Sequence, residues 1–179
     1  LSARIQVYFI DNEDYFRRKY TFTDDNGNFF EDNDERAIFF ARGVLETVKK
    51  LRWAPDIIHC QGWITHLVPA YLKKAYKDDP IFSSSKIVLS LYDDLPAVTF
   101  RPGFAAKAAF GGLAAEDMHF LAKPDGINLA KTAIQYADGV ILGSDGLPAT
   151  YARCCKSLMI PVLPYDAESM ANGTYIDAY

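Results

Sequence analysis

Three short apolar runs frame this chain: residues 56–60, 86–92 and 140–142, each leaving into a turn and then a stretch with helical or irregular character. Runs of this length, rich in Ile, Val and Leu, read as strands buried inside a layered fold. Strands that alternate with helices call for parallel βαβ units, because parallel neighbours need a crossover between them. The expected fold is therefore α/β, a Rossmann-like parallel sheet with helices on both faces. Right-handed crossovers bring the strand ends to one edge of the sheet, where ligands of such folds bind.

Around this frame the other segments fall into place. Asp32 stands three residues before Glu35, the spacing of a capping box with an acidic cap. Beyond it Ala37, Ile38, Ala41, Val44, Leu45, Val48 and Leu51 share one helical face, opposite Arg42, Glu46, Lys49 and Lys50. Trp53-Ala54-Pro55 ends that helix. Residues 65–76, 127–137 and 149–158 read as further helices. Residues 5–10, Ile-Gln-Val-Tyr-Phe-Ile, read as another strand with at least one covered face. Residues 11–28 read as a polar surface excursion with an Asn26-Gly27 turn. Residues 93–125 show no clear period, which in a compact domain points to a functional loop or to partial helices. The tail from Pro161 has a weak pattern and predicts nothing regular.

With 179 residues, half of them hydrophobic and 23% charged, the chain has the composition of one globular domain. A net charge of −4 argues against broad binding to nucleic acid or to an anionic membrane. No apolar stretch approaches the roughly 18–20 residues that span a bilayer. Leu1-Ser2-Ala3-Arg4 leads straight into strand-like sequence, so no signal peptide is expected. Cys60, Cys154 and Cys155 form no CxxC or Cys/His spacing, which speaks against a structural zinc site. Free thiols in a reducing cytoplasm are the simpler expectation.

Familiar catalytic templates are missing: there is no GxGxxG, P-loop, GxSxG or HExxH. Gly111-Gly112 and Gly143-Ser144-Asp145-Gly146 are glycine-bearing turns, and a tight strand exit explains the second more simply than a phosphate cradle. Richer chemistry lies in Ile57-Ile58-His59-Cys60-Gln61-Gly62-Trp63, where a strand reaches the ligand edge. His59 offers a hydrogen bond near neutral pH, Trp63 a flat apolar face for a sugar ring, and Gly62 a sharp turn between them. The plainer alternative makes both His59 and Trp63 core residues. Cys60 is a nucleophile only if a base lowers its pKa. The loop from Asp11 to Arg18 suits a carbohydrate, a phosphate or a salt-bridged surface equally. Tyr92-Asp93-Asp94 brings two carboxylates to the same edge, for acid–base work or for capping a turn.

These residues resemble a family. From Val7 to about Leu72 the chain is similar to the N-terminal domain of bacterial glycogen and starch synthases, glycosyltransferase family 5. Phe9-Ile10-Asp11 with Phe16 and Arg18, Asp32-Asn33 with Arg36, Trp53-Ala54-Pro55-Asp56-Ile57-Ile58-His59, and Gly62-Trp63 leading into Pro69-Ala70-Tyr71-Leu72 carry the likeness. A weaker echo returns at Ala133 to Asp138 and at Ser144. The resemblance implies a GT-B architecture of two Rossmann-like domains with a cleft for ADP-glucose and the end of an α-1,4-glucan. It implies transfer of glucose to the non-reducing end with retention, without a metal or other cofactor. The N-terminal domain would supply acceptor and glucosyl contacts, and the C-terminal domain most donor contacts.

The chain also departs from that pattern. The family's Lys-Thr-Gly-Gly-Leu loop is not in this sequence. Its His-x-His-Asp-Trp-His becomes His59-Cys60-Gln61-Gly62-Trp63-Ile64, its His-Asn after the next strand aligns with Leu91-Tyr92, and its Ser-Pro-Thr-Tyr-Ala becomes Ser144-Asp145-Gly146-Leu147-Pro148, with Tyr151-Ala152 displaced. Each loss removes a polar group that would stabilise charge at the sugar. The expectation is one GT-B N-terminal-type domain over residues 1–179, a fragment without the donor-binding domain and inactive alone. Its substrate-binding residues would be His59, Gln61, Trp63, Phe16, Arg18 and Tyr92, with α-1,4-glucan or maltooligosaccharide as partner and no catalytic residue assigned. The alternatives are a non-catalytic glucan- or partner-binding relative, and a phosphate-binding α/β protein that uses Gly143 to Gly146.

Overall fold

In a computed structural model, residues 5–94, 97 and 99–174 are described. Their centre is a parallel sheet of β1 (Ile57–Gln61), β2 (Lys86–Leu91), β3 (Gly139–Leu142) and β4 (Val162–Leu163), in the spatial order β1-β2-β3-β4. Gln61 stands opposite Ser90 and Leu91 opposite Leu142, so the first three strands finish along one edge. The expected α/β parallel-sheet class is what is found, and β4 adds a strand in the tail where the sequence shows no pattern. Ile58 packs against the core and Cys60 lies within it, whereas Ile57, His59 and Gln61 on the opposite face of β1 are exposed.

The long helix α2 (Asn33–Leu51) forms where its apolar period predicts. Ala37, Ala41 and Leu45 are fully buried, while Leu51 turns out to be 43% exposed. Its start differs from a capping box. Asp32 makes no cap hydrogen bond, because Arg18 claims its carboxylate, and Glu35 faces Lys107 and Arg101. Arg52 closes the helix in the left-handed conformation, its N–H bonded to Lys49 O.

The predicted helix over 65–76 is broken into three pitches: a 3₁₀ turn (Trp63–Thr65), α3 (Val68–Ala70) and a wide π turn (Tyr71–Ala75). Tyr71 and Tyr76, at the ends of the π turn, are both tied down, to Ala108 O at 2.8 Å and to Glu46 Oε1 at 2.6 Å. The unpatterned stretch 93–125 holds α4 (Phe104–Ala108) and a 3₁₀ run (Ala115–Ala122), too short to show a period. Helix α5 (Gly126–Tyr136), capped by Asp125, buries Leu129, Ala130, Ala133 and Ile134 against α3 and α6 (Ala149–Ser157). A short α7 (Ala167–Asn172), capped by Asp166, ends the described chain. All three cysteines are free and buried. Among the described residues no helix is long and apolar enough to cross a membrane.

One strand expectation is overturned. Residues 5–10 pair with no strand among the described residues, and Ile5 and Phe9 are 82% and 88% exposed. Strand propensity marks a chain that fits a half-buried pleated surface; it does not supply the neighbour whose hydrogen bonds make a strand. Ile10 packs against Gly43 of α2. The polar excursion that follows contains α1 (Glu13–Phe16), capped by Asn12.

Candidate functional site

The carboxyl edge of the sheet is held together by bonds between successive strand exits. After Gln61 the chain turns at Gly62, with φ +76, a backbone that favours glycine. The N–H of Trp63 then donates to Oδ2 of Asp94 at 3.2 Å, joining the exits of β1 and β2. The N–H of Asp93 donates to Oγ of Ser144 at 3.3 Å, joining the exits of β2 and β3. Asp94 is an exposed residue, but crowding around its carboxylate raises its pKa, against the N–H from Trp63 that lowers it. The paired acids expected at this edge thus divide their work: the Asp94 side chain caps a turn and the Asp93 backbone ties down a strand exit.

On the exposed face of β1, Nε2 of His59 lies 2.7 Å from Oγ of the buried Ser90, and Nε2 of Gln61 lies 3.2 Å from Nδ1 of His59. With the Gln61 amide donating to Nδ1, the neutral ring donates from Nε2 to Ser90. Desolvation lowers the His59 pKa, which favours that neutral form. His59 and Gln61 are therefore brought together on the exposed face of β1, with both ring nitrogens of His59 engaged by Ser90 and Gln61.

Trp63 is a correction. Its ring is 2% exposed and lies between Phe22, Phe29 and Phe100, with centroids at 4.8, 5.6 and 5.7 Å. The face expected to receive a sugar is already filled. Cys60 is likewise inert, since burial pushes its thiol up to about 12. Phe16 and Arg18 build the start of α2. Arg18 donates to Asp32 at 2.8 Å and sits 4.6 Å over the ring of Phe30. Phe16 stacks on Phe39 and faces the buried Arg36, whose Nε donates to Tyr15 O.

Tyr92 is placed by a close approach to Gly143 and lines a cavity of about 390 Å³ beyond the strand ends. Asp93, Thr99, Lys123, Asp125 and Tyr151 share that lining. Tyr151 is fully buried, its hydroxyl has no hydrogen-bond partner among the described residues, and desolvation, with Asp125, Asp94 and Asp93 nearby, pushes its pKa to about 12. Lys123 pairs with Asp125 at 3.2 Å. Thr99, Lys123 and Tyr151 were not among the expected site residues. For Thr99 and Lys123 the sequence signal is their place in a long unpatterned loop, and for Tyr151 it is the displaced tyrosine of the family's Ser-Pro-Thr-Tyr-Ala motif. Among the described residues no three His, Cys, Asp or Glu side chains converge as a metal site.

Residues 1–153 match the family described as the starch synthase catalytic domain. The chain belongs to that family. Among its relatives are the glycogen synthase of Chlorobium limicola, 39% identical over 140 residues, and that of Chlorobaculum tepidum, 38% identical over 155 residues. Those alignments cover 76% and 85% of this chain but only 28% and 30% of the two synthases. The chain therefore spans under a third of the length of these relatives. The catalytic domain of starch synthase IV from Arabidopsis thaliana, solved with ADP and acarbose bound, shares the fold with a TM-score of 0.57 at 21% identity, over 80% of this chain and 32% of that one. For a member of this family, the parallel sheet and its crowded carboxyl edge are the GT-B-type frame that the resemblance implies.

Proposed function

We propose that this chain is the acceptor-side, N-terminal-type half of a glycogen or starch synthase, which transfers glucose from ADP-glucose to the non-reducing end of an α-1,4-glucan. The match of residues 1–153 to the catalytic domain of the family carries the reading. It is supported by a cavity where α/β sheets bind ligands, at the carboxyl ends of β2 and β3. Tyr92 and Gln61 are the groups that would hold sugar hydroxyls at this edge, with His59 orienting the Gln61 amide. Phe16 and Arg18 act through the shape of the α2 start, and Trp63 acts as the aromatic floor beneath it. Donor binding belongs to the part of the synthase that lies beyond this chain, and the transfer asks for no metal. Three free thiols suit a cytoplasmic setting.

Calorimetry with the 179-residue chain tests the reading. Maltooligosaccharides should give binding heat, while ADP-glucose should give much less and release no ADP when both are supplied. Absence of heat with maltooligosaccharides at millimolar concentration would overturn it.

A further inference from the structure

A cavity of about 590 Å³ lies along α2 and shares no lining residue with the one at the strand exits. Glu35, Ile38, Phe39, Arg42 and Glu46 follow one another at helical spacing, so they line it from one face of α2. Tyr15 of α1 and Lys107 of α4 stand across from them. Three of the four charged side chains here are already paired. Glu35 accepts from Arg101 at 2.7 Å and from Lys107 at 2.8 Å. Glu46 accepts from the Tyr76 hydroxyl at 2.6 Å and has Lys49 at 3.8 Å. Arg42 differs. Its half-buried guanidinium lies 3.8 Å over the centre of the Phe110 ring, a contact that holds it in place without using its N–H donors. Among the described residues Arg42 makes no hydrogen bond or ion pair.

We propose that this cavity binds a small amphipathic monocarboxylate, its carboxylate on Arg42 and its apolar body against Ile38, Phe39 and Tyr15. The site goes beyond the acceptor-side reading and does not depend on it. A guanidinium receives a carboxylate through two parallel N–H bonds, and Arg42 is the group in this lining with donors to give. Charge limits the anion. One unpaired cation balances a single negative charge, whereas a phosphate monoester, at about two, would face Glu35 and Glu46 with no second cation to offset it. The apolar wall sets the other requirement, because an inorganic anion buries nothing against Ile38 and Phe39. The volume is that of a small-molecule pocket.

Nuclear magnetic resonance of the isotope-labelled 179-residue chain tests the site, with phenylpropionate, phenylpropanol and inorganic phosphate as probes. Phenylpropionate should bind with a Kd of about 1 mM and shift the amides of Tyr15, Phe39, Arg42 and Lys107. The uncharged alcohol and the phosphate should each bind about tenfold more weakly. Arg42→Gln should lower phenylpropionate to the affinity of the alcohol and leave the alcohol unchanged, a contrast that general loss of structure does not produce. Arg42→Lys keeps the charge and loses the planar fork, so it serves if Arg42→Gln fails to fold, and it should weaken phenylpropionate about fivefold. Equal affinity for acid and alcohol, or phenylpropionate binding untouched in a folded variant, overturns the site. Phosphate binding as tightly as phenylpropionate overturns the ligand class. The sugar reading is tested on other residues and stands or falls separately.

Discussion

Gly143 and Tyr92 meet so closely that a Cβ on the glycine would stand 2.4 Å from Cε1 of the tyrosine ring. The bare backbone of β3's exit is thus the seat on which the Tyr92 side chain rests as it lines the first cavity. Gly143→Ala forces the ring to move, an overpacking that costs about 1–3 kcal/mol. Urea unfolding should show this loss, and maltoheptaose binding should weaken with it. Adding Tyr92→Ala should recover part of the stability, because the clash then has no partner. A native midpoint for Gly143→Ala alone would show that the seat is not tight.

His66 is 1% exposed, neither ring nitrogen has a hydrogen-bond partner among the described residues, and burial lowers its pKa to about 3. An unfolded histidine titrates near 6.5, so between those values the unfolded chain binds the extra proton and stability rises with pH. The contribution is complete above about pH 6.5 and is lost as pH falls toward the folded value. From pH 7.5 to 5.5 the native chain should lose about 1.4 kcal/mol through this group. His66→Leu should remove that slope and, by deleting an unsatisfied polar ring, stabilise the chain at both pH values. Urea midpoints for the two proteins at the two pH values decide it. Parallel slopes would place the titration elsewhere.

The frame of the sheet is legible in the sequence because a parallel strand buried in the core announces itself by composition. Residues 57–60, 86–91 and 140–142 need no partner to be recognised. Residues 5–10 carry the same signature, yet what makes a strand is the neighbour, and that is a property of tertiary structure. The site divides in the same way. His59 and Gln61 are legible because alternation along β1 puts them on one face. Trp63 is not, because an aromatic at a strand exit reads alike whether it meets solvent or Phe22, Phe29 and Phe100, which arrive from distant positions. Thr99 and Lys123 are invisible for a different reason: they lie in a stretch without a period, and only the fold brings them to one cavity.

Asp34, with its side chain wholly buried, ties the first turn of α2 to the chain around α4, accepting from Arg101 at 2.8 Å and Lys107 at 3.0 Å. Asp34→Asn removes the charge that both cations face and should cost about 1–3 kcal/mol in urea unfolding. Glu35 meets the same cations but is 36% exposed, so solvent screens it and Glu35→Gln should cost under about 1 kcal/mol. Equal effects from the two substitutions would mean that burial of Asp34 is not what gives the cluster its strength.

The two tryptophans stand in opposite environments. Trp53 is 59% exposed, whereas Trp63 is 2% exposed inside the phenylalanine cluster. In a Trp53→Phe variant the remaining emission reports Trp63 alone. It should be blue-shifted, poorly quenched by acrylamide, and unchanged when maltoheptaose binds, because no face of the ring is open to a sugar. Trp63→Ala should cost about 3–5 kcal/mol, the loss expected for a large aromatic cut from a packed core. The loss should appear in unfolding midpoints, while Trp63→Phe retains most of the stability and the sugar affinity. A maltoheptaose-dependent shift in the Trp63 emission would instead put the sugar on the ring, and the phenylalanine cluster would have to open to admit it.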